Sequence, residues 1–148
     1  DDPAANDFAV AEEVTLAGGH ERRPDVVLYV NGMAMVVLEL KRSSVEVADG
    51  IRQLITNQEP LFNEAFFATA QLLLAGNDTQ GLHYGTVGTP EQFFVQWKQD
   101  GQAASLGTGT LLDAPLTQLC DKTRLLDLVR HFVIFDAGRK KVPRQHQY

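Results

Sequence analysis

The stretch RRPDVVLYVNGMAMVVLELKR, residues 22–42, decides how the rest of the chain is read. Val26 to Val30 is a β-branched and aromatic run, Asn31-Gly32 follows, and Met33 to Leu40 is a second apolar run. Asn and Gly both tolerate positive φ, so this pair between two such runs predicts a β-hairpin. The second run, MAMVVLEL, is apolar on both alternating faces over most of its length, which predicts a central strand covered on both sides. It ends in charge, at Glu39, Lys41 and Arg42.

Working outward, Ser43 and Ser44 offer caps for a helix in which Val47, Ala48, Ile51, Leu54 and Ile55 recur at helical spacing. Phe66 to Leu74 reads as a buried strand, Gly76-Asn77-Asp78 as a turn, and Leu82 to Val87 as the returning strand. Thr89-Pro90-Glu91 reads as a helix start, with Phe93, Phe94 and Trp97 on its apolar face. Lys98 to Thr110 is rich in Gly, Ser and Thr and reads as a surface loop, and its GTGT lacks the Lys-Ser/Thr ending of a phosphate loop. The leucines between Leu111 and Val129 predict one or two helices, and HFVIFD a short apolar end. No internal repeat is present. The fold class expected is α/β (α+β), a central mixed, twisted sheet flanked by helices.

A length of 148 residues with 44% hydrophobic and 22% charged residues fits one globular domain with an ordinary core. The single cysteine, Cys120, excludes an intramolecular disulfide and a Cys-rich zinc site, fits a reducing compartment, and sits in an apolar context that predicts an inert thiol. The histidines at 20, 83, 131 and 146 have no metal-ligand spacing. No signal peptide and no run resembling a membrane span is visible. The net charge of −6 argues against gripping a phosphate backbone by bulk charge. The cations are clustered, however, with Arg139, Lys140, Lys141 and Arg144 near the C-terminus and Arg22, Arg23, Lys41 and Arg42 around the hairpin.

The chemistry points to Asp25, Glu39 and Lys41. Glu39 and Lys41 lie two apart, so they share a face, and a carboxylate beside an ammonium group at the end of a buried strand is costly without a purpose. Asp25 lies one strand away. Two carboxylates can hold Mg²⁺ while a lysine positions or deprotonates a water that attacks a phosphodiester. The bland alternative is a charged strand end meeting solvent. Register separates the two. With a strict two-residue loop and unbroken pairing, Val30 meets Met33 and Asp25 falls opposite Leu38, facing away from Glu39. A three-residue loop or a bulge pairs Asp25 with Glu39, so a shared site requires one or the other. Gln53, on the following helix, could orient the water or contact a phosphate, or be a solvated polar position.

Residues 22–42 resemble the nuclease motif of the R (restriction and motor) subunit of type I restriction enzymes, a branch of the PD-(D/E)xK nuclease superfamily. The similarity continues through NDF at 6–8, IRQL at 51–54, PLF at 60–62, YGT at 84–86, Trp97-Lys98 and LLDLVRHFVIFD at 125–136, in that order. The resemblance implies a restriction-endonuclease-like core over residues 1–136, with Asp25 and Glu39 as ligands of a catalytic Mg²⁺ and Lys41 serving the attacking water. It implies that 137–148 link to a missing RecA-like motor domain in which Gln147 contacts the adenine of ATP. The chain is then expected to be a fragment, lacking N-terminal helices and carrying no ATPase of its own. The activity implied is cleavage of double-stranded DNA after ATP-driven translocation. The partners implied are the DNA and the methyltransferase and specificity subunits, with no membrane and a cytoplasmic location. Related nucleases often place a tyrosine four residues after the helix glutamine, but here Gln53 is followed at that distance by Asn57. A further acidic residue can come from a preceding helix, and Glu12 and Glu13 lie in that region. Two competing readings are a stand-alone PD-(D/E)xK repair or recombination nuclease and a non-catalytic interaction domain of the same fold.

Overall fold

The computed structural model describes residues 2–98 and 110–148. The hairpin forms where the sequence predicts it, with β2 (Val26–Val30) and β3 (Met33–Leu40) joined by Asn31 at φ 51° and Gly32 at φ 78°, the doubly positive turn that Asn-Gly favours. β1 (Phe8–Glu12) adds antiparallel to β2, with Glu12 opposite Val26. β3 runs parallel to β4 (Leu72–Asn77), which turns back into β5 (Gly81–Gly85) and then β6 (Val95–Trp97). These form one six-stranded sheet in the order β1-β2-β3-β4-β5-β6. The parallel β3–β4 pair needs a crossover, supplied by α1 (Val47–Asn57) and the short α2 (Glu64–Phe67).

Both faces of the sheet are covered, as the sequence of β3 predicts: its six central residues are buried. On one face Val37, Leu73 and Ala75 pack against Val47, Ile51 and Leu54 of α1 and Phe67 of α2. On the other, Val36, Leu38, Leu72, Leu74, Tyr84 and Trp97 pack against Leu119 of α3 (Asp113–Leu119) and Leu125 of α4 (Lys122–Asp127). A π turn (Leu128–Phe132) continues α4 and adds Leu128 to this cluster. A small separate hairpin, β7 (Ile134–Asp136) with β8 (Arg139–Lys141), follows. It is tied to the body by the Lys140 ammonium, which donates to the Ala70 carbonyl at 2.8 Å, and the Tyr84 hydroxyl donates to the carbonyl of Pro143 just beyond it.

Four local expectations are corrected. Phe66 to Leu74 is not one strand: Phe66 and Phe67 end α2, a turn follows, and β4 begins only at Leu72, a break that a short apolar run does not reveal. The segment Thr89 to Trp97 is not a helix. Pro90 caps a single 3₁₀ turn (Glu91–Phe93), and the chain then extends as β6 because β5 has a free edge to pair. Phe94 consequently enters the α1-side cluster and Trp97 the opposite one. Ser43 and Ser44 do not cap α1; the N-cap is Glu46, whose side chain makes no capping bond. Gly76-Asn77 belongs to β4, so the β4–β5 turn starts two residues later, at Asp78. The expected loop at 98–110 lies outside the described residues apart from its two ends.

Leu74 has no exposed surface and lies in the middle of the sheet. Leu74→Ala is expected to lower stability by about 2–5 kcal/mol, read from the urea midpoint with an unchanged m-value.

Candidate functional site

The β2–β3 register is broken once. Tyr29 pairs with Ala34 but Leu28 pairs with Val36, leaving Met35 unpaired. This is a β-bulge, and it puts Met35 and Val36 into the same core cluster, so the alternation of β3 restarts with the opposite phase. Val37 and Glu39 therefore face α1. With Val26 opposite Leu38, the next position back, Asp25, falls opposite Glu39 on that same face. The two-residue turn is kept and a bulge supplies the shift that a shared carboxylate site requires.

Glu39 is only 2% exposed. Its Oε1 accepts from the Lys41 ammonium at 3.2 Å, and its Oε2 is buried with no hydrogen-bond partner. Burial pushes the Glu39 carboxyl up to about 7, helped by the negative charge of Asp25 and opposed by Lys41 and Gln53. Asp25 is half-buried, and its Oδ2 accepts the Leu40 N–H at 2.6 Å, which fixes the carboxylate at the mouth of the strand end. Lys41 also donates to Gln53 Oε1 at 2.7 Å. Of the expected quartet, Glu39, Lys41 and Gln53 form one hydrogen-bonded group, and Asp25 lies on the same face, held by the Leu40 N–H.

Other expected residues are elsewhere. Glu12 ends β1 rather than lying on a helix, and the exposed Glu13 pairs with Arg23 at 3.5 Å. Arg22 stacks its guanidinium 4.2 Å above the Phe62 ring. With Lys41, three of the four cations around the hairpin are therefore engaged locally. Gln147 lies in the terminal 3₁₀ turn, where its Oε1 accepts the Arg144 N–H, and no contact joins it to the quartet. Asn57 is 1% exposed near the far end of α1, its side-chain atoms unpartnered, and takes no part in the site. Burial raises the Cys120 thiol to about 12, consistent with an inert group.

Sequence reasoning missed Gly50. A Cβ there would sit 3.3 Å from Ala75 Cβ and 3.4 Å from Lys41 Cγ, so glycine lets α1 approach the sheet where the Lys41 stem passes. The available signal was a glycine in a helix interior, where it costs about 1 kcal/mol relative to alanine.

The donor set suits a hard divalent cation: two carboxylates on one face, one of them with a buried, unpartnered oxygen and a pKa raised by burial and by the neighbouring Asp25 charge. No third His, Cys, Asp or Glu gathers there among the described residues.

Residues 1–92 match the family described as the type I restriction enzyme R protein N terminus. The chain is 30% identical over 147 residues to the HindI endonuclease subunit of a type I restriction enzyme from Haemophilus influenzae, covering 92% of this chain and 14% of that subunit. It is 26% identical over 141 residues to the EcoprrI endonuclease subunit from Escherichia coli, covering 90% of this chain and 44% of that subunit. The chain spans less than half the length of either relative.

The raised Glu39 pKa has a thermodynamic consequence. Between the ordinary value of 4.5 and about 7 the folded protein keeps a proton that the unfolded chain releases, so this group's contribution to stability is lost as pH rises through that window. In metal-free buffer the stability of the parent relative to Glu39→Gln is expected to fall across it and level off above. Urea titrations at several pH values check this, and parallel curves would contradict it.

Proposed function

The chain belongs to the type I restriction enzyme R protein N-terminal family, and we propose that it is the Mg²⁺-dependent endonuclease domain of such a subunit, hydrolysing phosphodiester bonds of double-stranded DNA. The observation that carries this reading is the strand-end quartet: Lys41 bridges Glu39 and Gln53, with Asp25 on the same face and Glu39 Oε2 left without a partner.

Asp25 and Glu39 would hold the cation. When bound, Mg²⁺ supplies Lewis acidity toward phosphoryl oxygens and water. Asp25, oriented through Oδ2 by the Leu40 N–H, keeps its other oxygen for this task. The Lys41 ammonium has three N–H donors, of which two are engaged by Glu39 and Gln53. The third can orient an attacking water or stabilise charge on the phosphate. Gln53 holds that ammonium in place. Burial of Glu39 and the apolar floor formed by Val37 and Ala75 keep bulk water from screening these charges.

In the full-length subunit the cut follows ATP-driven translocation by motor domains outside this chain, with Gln147 contacting the adenine. The methyltransferase and specificity subunits and the DNA are the partners, and the cytoplasm is the location. None of the described helices is long and apolar enough to cross a membrane. Similarity to endonuclease subunits over most of the chain favours this reading over a stand-alone repair nuclease.

The test is Lys41→Ala in the full-length subunit. DNA cleavage is expected to fall by about 10²–10⁴-fold, the range associated with a positioned proton-transfer group, while ATP hydrolysis and translocation continue. Unchanged cleavage would refute the role given to Lys41.

A further inference from the structure

Helix α1 carries Gln53 to Lys41, yet its first turn is not held by a cap of its own, since the Glu46 side chain makes no capping bond. The Val47 N–H is satisfied from across the sheet instead: Gln80, on the β4–β5 turn 33 residues later, accepts it through Oε1 at 2.7 Å. The Gln80 Nε2 donates to Glu46 Oε2, so one side chain clamps both the N-cap residue and the first residue of the helix.

Gln80 is itself held. Asn77, 1% exposed, accepts the N–H groups of Gln80 and Thr79 at 2.6 and 3.1 Å and donates to the Val45 carbonyl at 2.8 Å. Thr79 donates to the Ser43 carbonyl at 3.3 Å. The Lys41 N–H donates to the Gly76 carbonyl at 2.9 Å. Thr79 and Gln80 of the turn thus grip Ser43 and Val47, Asn77 at the end of β4 grips Val45, and Gly76 of β4 grips Lys41 directly. Both ends of the Lys41–Gln53 contact are referred to one rigid element. Gly50 makes this setting close: a Cβ there would meet Ala75 Cβ at 3.3 Å and Lys41 Cγ at 3.4 Å, so the lack of a side chain lets α1 lie this near the Lys41 stem.

We infer that Gln80 is a positioning residue: it caps α1 in trans and thereby sets Gln53 against the Lys41 ammonium. It need not touch DNA or metal. For its effect on cleavage the inference rests on the nuclease reading above, but its structural half stands apart.

Three variants test it: Gln80→Ala, Gln80→Glu, and Gln80→Glu combined with Glu46→Gln. Gln80→Ala removes the acceptor, and Gln80→Glu keeps it but sets two carboxylates together. In the combined exchange, donor and acceptor trade places and the clamp is restored with a negative group near the helix N-terminus, where it is favoured. Three readouts are taken: amide exchange at Val47, the Gln53 side-chain amide resonance in the 148-residue chain, and single-turnover cleavage of a DNA duplex by the complete subunit.

Gln80→Ala is expected to speed Val47 exchange about fivefold, the effect of losing an N-cap, and to shift the Gln53 resonance. Cleavage should slow about tenfold while duplex affinity stays within roughly twofold, because misplacement affects the chemical step rather than binding. The combined exchange should return all three toward the parent. Faster exchange with an unmoved Gln53 resonance and parent cleavage would make Gln80 a structural cap only and overturn the inference. A parent subunit that cleaves nothing would count against the nuclease reading instead, and the Val47 and Gln53 measurements would still decide the positioning role. If Gln80→Ala fails to fold, the single and combined glutamate variants make the same comparison.

Discussion

A strand offers its residues alternately to its two faces, and in β3 that rule is interrupted at Met35, which has no partner on β2. Because Met35 and Val36 occupy the same cluster, every residue after them lies on the face opposite to the one the turn alone would have assigned. Leu38 enters the core beneath α3 and α4, and Glu39 is delivered to the α1 side beside Asp25. The quartet follows from that one extra residue. Without it the two carboxylates would sit on opposite sides of the sheet, and Glu39 and Lys41 together would face away from Gln53 on α1.

The site is bought against stability. Glu39 is buried with one oxygen on Lys41 and the other on nothing, and burial, with the Asp25 charge beside it, pushes its carboxyl up to about 7. A buried ion pair with an unsatisfied oxygen is a poor structural device, since an apolar residue of similar volume would usually serve the core as well or better. Gly50 points the same way, a weak helix former placed where α1 must pass close to the Lys41 stem. Such local conflicts in an otherwise consistent fold are expected where function sets the residue.

The acidic balance of the chain also reads differently with the structure at hand. Of the cations grouped around the hairpin, Arg22 stacks on Phe62, Arg23 pairs with Glu13, and Lys41 is directed at Glu39 and Gln53. The local positive charge is mostly spent on fixing side chains rather than on display to a polyanion. This suits a domain that receives its DNA from neighbouring parts of a larger assembly, which is the reading proposed for it.

The central hairpin, its Asn-Gly turn, the doubly covered β3 and the amphipathic α1 were all legible in the sequence, because each rests on local chemistry and a hydrophobic period within one segment. Asp25, Glu39 and Lys41 could be picked out as candidates from charges around the end of an apolar strand, and Gln53 only as one of two readings of a polar helix position; the need for a register shift between Asp25 and Glu39 was legible as well. What sequence could not decide was how that shift is made, since a bulge and a longer loop satisfy the same spacing. Nor could it show that Phe94, just before the edge strand β6, and Trp97 within it enter opposite clusters, because that depends on a free edge at β5 which exists only once the sheet is assembled. The clamp of Gln80 on α1 was equally hidden: its partners lie 33 and 34 residues away and meet only because β3 and β4 run parallel, side by side. Local pattern determined which elements form and which residues carry charge. Tertiary pairing decided which of those charges meet.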